Sequence, residues 1–139
     1  MIFLKDTDFP LQVRESILNE VIRNNPAILD DAEVKSIETI KEWLNCTKYD
    51  IEVIFSAIDS DRHPSIIMYL VDITLFNLHS SGINIPETKL LRYDTAMTWL
   101  KNVRSGMVMP DKLPLIPDPA QVEKTERTWT ARPKRNNRF

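Results

Sequence analysis

The chain has 139 residues, with two glycines, one cysteine and a net charge of −2. This length supplies one core; a single cysteine excludes a disulfide framework or multi-cysteine metal site, and the glycine shortage disfavours phosphate-cradling loops and tight hairpins. The longest apolar segment, residues 66–78, is interrupted by Asp72, Thr74 and Asn77 and is too short to span a bilayer; with no secretory N-terminal pattern, the chain reads as made in a reducing cytoplasm.

Residues 1–9 read as a lead-in. Pro10 suits the first turn of a helix, where its missing N–H costs nothing, and Leu11, Ile17, Leu18, Val21 and Ile22 predict a first helix over about 10–23. Asn24-Asn25-Pro26 ends it. Asp30 and Asp31 are N-cap candidates for a second helix. Val34, Ile37, Ile40 and Leu44 form its buried stripe to about Asn45, with Glu33, Glu38 and Glu42 on the wet face. Residues 48–58 admit a strand or a short helix, and a loop followed by a short helix is preferred. A third helix is predicted from Pro64 to Ser80. It is apolar on nearly every side, which marks a central, buried helix, roughly 25 Å long. Gly82 ends it. The fourth helix spans about 86–104, with Lys101 and Arg104 in its last turn and Gly106 as its stop. Five of the nine prolines follow Gly106. Helices do not pass through that density, so residues 107–139 read as an extended arm, ordered only where something holds it. The expectation is an all-α, compact bundle of about four helices over residues 1–106, followed by this Pro-rich, basic arm.

Signals for chemistry are thin. His63 and His79 are isolated and read as surface or capping residues. Cys46 has no accompanying motif and reads as a small, partly buried side chain. Asp59-x-Asp61-x-His63 faintly resembles the start of a calcium loop, but Pro64 and Leu70 occupy the positions that need glycine and glutamate; the residues read as a cap for the third helix. Asp72 lies in the middle of the apolar helix, where a carboxylate needs a partner or a raised pKa. A tyrosine or arginine of a neighbouring helix, or a subunit interface, is the favoured explanation over half of an active site. No cofactor or metal is implied and no enzymatic activity is expected.

The C-terminal arm is the best functional candidate. Residues 121–139 carry six cations against Glu123 and Glu126, a net +4, which leaves −6 on the other 120 residues. Trp129, Arg132, Lys134, Arg135, Arg138 and Phe139 are the candidate partner-binding residues, because Arg and Trp are enriched at energetically dominant interface positions. Thr128-Trp129-Thr130 suits addition as a strand to a sheet edge on another chain. A solvated terminus is the bland alternative. Single-stranded nucleic acid is a third, since cations beside aromatics suit it, although the acidic body opposes it.

Several segments together carry a family resemblance: Asp30-Asp31-Ala32-Glu33; Tyr49 to Ala57; Arg62-His63-Pro64-Ser65 continuing to Asp72-Ile73 and Leu78-His79-Ser80; Ile85-Pro86-Glu87; and Arg92-Tyr93-Asp94-Thr95-Ala96-Met97-Thr98-Trp99-Leu100, closing with Val103 and Gly106. This ordered series resembles the short, helical head–tail connector (adaptor, head-completion) proteins of Mu-type phages and prophages over roughly residues 1–114. The resemblance implies a structural virion protein at the head–tail interface, made in the host cytoplasm. It implies a homo-oligomeric ring of about twelve subunits, with the portal protein and tail or further connector proteins as partners. Passing contact with DNA in the channel is also implied; catalytic residues are not. The arm beyond about Leu115 departs from the family pattern, and no role transfers to it. A nucleic-acid-binding module using the basic tail is the alternative.

Overall fold

The computed structural model describes residues 1–10, 12–79 and 85–119. Among these the protein is all-α, with five α-helices: α1 (Glu15–Val21), α2 (Pro26–Leu44), α3 (Ile51–Ser56), α4 (Pro64–His79) and α5 (Glu87–Ser105). Single 3-10 turns at Asp6–Asp8 and Asp59–Asp61 complete the regular structure. Ser80, Gly82 and the tail from 120 onward, including all six candidate partner-binding residues, lie outside the described residues.

The first helix is shorter than its periodicity suggests. Pro10 does not open it. The Phe9 carbonyl accepts from the N–H groups of Gln12 (2.9 Å) and Val13 (3.0 Å), closing a separate turn, and Arg14 is extended at the helix N-cap. At the other end Arg23 and Asn24 both take positive φ, 51° and 55°, which halts α1 and turns the chain into α2. That helix begins earlier than the Asp30-Asp31 cap predicts. Asn25 is the N-cap, with its side-chain oxygen accepting from the Ala27 N–H at 3.2 Å, and Pro26 is the first helical residue. The Pro-at-N1 preference holds at Pro26 and fails at Pro10; Asp30 and Asp31 are interior to α2.

The short helix α3 is capped by Asp50, whose carboxylate accepts from the Val53 N–H at 3.2 Å. At the end of α5, Gly106 takes φ +80°, and its N–H donates to the Val103 carbonyl at 3.1 Å. This is the left-handed stop that glycine favours.

The core is a triangle of helices: α4 packs against α2 and α5, which also touch each other. Ile66, Leu70, Val71, Ile73, Leu75 and Leu78 of α4 are buried, as the all-round apolar pattern requires, against Leu29, Ile37, Ile40 and Leu44 of α2 and Ala96, Leu100 and Val103 of α5. Each fully buried Leu or Ile contributes about 2 kcal/mol of transfer free energy. Three polar side chains inside the triangle are paired. Thr74 Oγ1 donates to the Leu70 carbonyl (2.7 Å), Ser36 Oγ to the Ala32 carbonyl (2.7 Å), and Asn77 Nδ2 reaches across from α4 to Ser36 Oγ (2.9 Å). The helices α4 and α5 run antiparallel, with Tyr69 stacked on Trp99 (4.5 Å between ring centroids) and Phe76 on Tyr93 (3.8 Å).

The lead-in is a strap bound across this block. Glu33, expected on the wet face of α2, is fully buried. Its carboxylate accepts from three successive backbone N–H groups, those of Ile2 (2.7 Å), Phe3 (2.8 Å) and Leu4 (2.6 Å). The extended strap has no helical partner for those donors, and Glu33 supplies one. Arg62 fastens the next stretch. It forms a two-pronged pair with Asp8 (2.7 and 3.3 Å) and donates to the Phe3 carbonyl at 2.9 Å. Lys5 pairs with Asp59 on the surface. Phe3, Leu4 and Phe9 are thereby driven into the core.

After α5 the chain does not leave the block at once. Val108 packs on the core, and Leu113 is buried within it. Residues 114–116 run beside residues 48–50, with the Asp50 N–H donating to the Pro114 carbonyl and the Ile116 N–H to the Lys48 carbonyl, both at 2.9 Å. Tyr49 and Leu115 face each other in an isolated antiparallel bridge.

Candidate interaction surfaces

The residues singled out for chemistry are dispersed and occupied structurally. His79, expected at the surface or as a cap, is instead buried, and its Nδ1 donates to the Leu75 carbonyl one helical turn back, at 2.6 Å. His63 is half-buried beside Pro64, and its Nε2 donates to the Asp111 carbonyl at 2.7 Å, tying the start of α4 to the chain beyond α5. Cys46 is exposed, a correction to the partly buried side chain expected. It sits just past the end of α2 with φ +64°, and that left-handed turn swings it out of the core. Asp59, of the faint calcium-loop pattern, pairs with Lys5. Among the described residues no three His, Cys, Asp or Glu side chains are grouped to hold a metal ion, and no helix is long and apolar enough to cross a membrane.

Asp72 meets an arginine of the neighbouring helix. Its Oδ1 lies 3.6 Å from Nη1 of Arg92, with the aspartate side chain 8% exposed and the arginine 44%. That separation is an ion pair rather than a hydrogen bond, and Oδ1 has no hydrogen-bond partner. Burial raises the carboxyl pKa, opposed by the charges of Arg92 and Lys89. Lys89 donates to the Gln12 carbonyl at 2.8 Å, and its own pKa is lowered, first by burial and then by Arg92. The cluster lies in the α4–α5 seam between the two aromatic stacks.

The surface offers more. One open cleft of about 240 Å³ between the strap, α2 and α3 is lined by Ile2, Val34, Ile37 and Phe55; Ile2 and Val34 are exposed. A second, of about 440 Å³ along α4 and α5, is lined by Tyr69, Leu91, Asp94, Thr95, Thr98, Trp99 and Asn102, a mixed polar and aromatic surface with Leu91 66% exposed. An apolar stretch follows α5, where Met107, Met109, Leu115 and Ile116 are all more than half exposed. Periodicity does not single out these side chains. Ile2, Met107 and Met109 lie outside any helical pattern, and Leu91 belongs to a helix whose apolar residues exceed what its one buried face uses.

Scans against protein-family models, curated proteins and solved structures each return no match.

Proposed function

We propose that this chain is a structural, non-enzymatic subunit of a tailed-phage virion, a head–tail connector that assembles as a ring between portal and tail. The observation that carries this reading is a pair of unlike clefts on different elements, one with Ile2, Val34 and Phe55 beside Glu38, Lys41 and Glu52, the other with Tyr69, Leu91 and Trp99 beside Asp94 and Asn102, with no lining residue in common. A ring subunit needs two unlike surfaces, each meeting the other kind on the next copy, so that heterologous contacts close under rotation. The helical triangle supplies the rigid body between them. The ordered likeness of residues 1–114 to Mu-type connectors supports the same role, and the basic aromatic tail, with Trp129, Arg132, Lys134, Arg135, Arg138 and Phe139, supplies an anchor for the portal.

The test is co-sedimentation of the purified protein with the portal encoded beside it, followed by imaging of the complex. A ring stacked on the portal is the expected result. Deleting residues 121–139 is expected to leave the helical circular dichroism intact and to abolish attachment; attachment that survives the deletion refutes the anchor. The +4 charge of that segment favours one second reading, a nucleic-acid-binding module. Absence of portal binding, together with a gel shift that weakens steeply as salt rises, would establish that reading instead.

A further inference from the structure

The segment after α5 presents an unfinished strand edge. The bonds from the Asp50 N–H to Pro114 and from the Ile116 N–H to Lys48 flank the Tyr49–Leu115 bridge. In this non-hydrogen-bonded kind of antiparallel pairing, the N–H and carbonyl of Leu115 itself point to the opposite side. Neither has a partner among the described residues. Leu115 and Ile116 are each 56% exposed, and Met109, whose sulfur lies 3.2 Å from Lys48 Nζ, is 68% exposed. Pro117 has no N–H, so the edge accepts an addition of only two or three residues.

Ile116 also lines a neighbouring cleft of about 450 Å³ whose charged groups are Glu38, Glu42, Asp50, Glu52 and Lys41. Lys41 is paired with Glu38 at 3.3 Å. A segment that satisfies both features is short and strand-forming, with cations beside it. The chain contains one. Thr128-Trp129-Thr130 is β-branched and aromatic, and residues 131–139 add Arg132, Lys134, Arg135 and Arg138 with no acid. Eight residues separate Pro119 from Thr128, enough to span roughly 30 Å. Tethering gives a local concentration on the order of millimolar, which outcompetes a second copy at micromolar concentration.

We propose that in the free chain residues 128–139 dock in cis on this surface, Thr128-Trp129-Thr130 pairing with the outer edge at Leu115 and the following cations lying over the cleft carboxylates. The proposal does not depend on what the tail engages in an assembly. It accounts for an acidic body and a basic tail in one chain.

Cys46, exposed in the cleft wall, is a built-in probe. In the full chain carrying Arg132→Cys, mild oxidation is expected to give an intramolecular disulfide at a rate independent of protein concentration. A Lys124→Cys control, outside the docking segment, should react at least about tenfold more slowly. Molar salt, or Glu38→Gln, Glu42→Gln and Glu52→Gln together, should bring the first rate down to the control. If the triple variant loses helicity, the salt arm decides. Disulfide-linked dimers that grow with concentration would overturn the proposal in favour of a second copy as occupant. Equal rates at both positions, indifferent to salt, would overturn it in favour of an undocked tail.

Discussion

Asp72 shows how a single buried charge makes stability depend on pH. Burial raises its pKa above the ordinary 3.8, and the charges of Arg92 and Lys89 only partly oppose this. Between the ordinary value and the raised one the folded chain therefore binds more protons than the unfolded chain, so stability falls as pH rises through that window and stays lowered above it. Asn in the same place carries no such loss. Asp72→Asn is expected to gain stability relative to the parent as pH rises from about 3.5 to 7, read by urea denaturation at both; a change in the opposite direction would mean that the Arg92 pair outweighs desolvation. Two other residues test backbone conformation alone. At Gly106 an added Cβ meets nothing within 4 Å, so Gly106→Ala should lose about 1 kcal/mol purely from the left-handed φ. Cys46, also left-handed but not glycine, predicts the reverse, with Cys46→Gly gaining up to about 1 kcal/mol. Thermal melts of the two variants, moving in opposite directions, check both.

At the scale of elements, the strap and α2 depend on each other. Glu33→Ala leaves three N–H donors in the strap without an acceptor and is expected to cost about 3 kcal/mol. Arg62→Ala breaks the buried pair with Asp8 at a similar cost. Both release the same nine residues, so the double variant should lose clearly less than the two separate losses combined, and a strictly additive result would show that the two fastenings act independently. The existence and order of the longer helices and the stop at Gly106 were legible in the sequence, because period and glycine placement express local physics; residues 48–58 admitted a strand as well as the short helix that forms there. Helix starts were not. Pro10 and Pro26 carry the same local signal, and only packing of Phe9 and Val13 into the core decides that the first closes a turn. Glu33 was illegible for a deeper reason: a glutamate off the apolar stripe looks solvated until the segment 30 residues away that uses it is in place. Asp72 was legible because a charge inside an apolar run demands a partner, and an arginine of the next helix, Arg92, supplies it. The interaction surfaces were the least readable, since an exposed Ile2, Met109 or Leu91 differs from a buried one only in where the rest of the chain leaves it.

At the scale of the whole molecule, a basic tail is set against an acidic body. On the proposed reading, removal of residues 121–139 is expected to abolish portal attachment, read by co-sedimentation, and to retain the helical fold, read by circular dichroism. The strap adds a consequence in time. Its two fastenings, Glu33 and Arg62, lie downstream of the residues they hold. During synthesis at roughly 5–20 residues per second, several seconds pass between the emergence of Phe3 and that of Arg62. Throughout that interval Phe3, Leu4 and Phe9 have no complete seat. The strap therefore cannot lock until Arg62 has emerged, and the parts of the core that α4, α5 and Leu113 complete come later still.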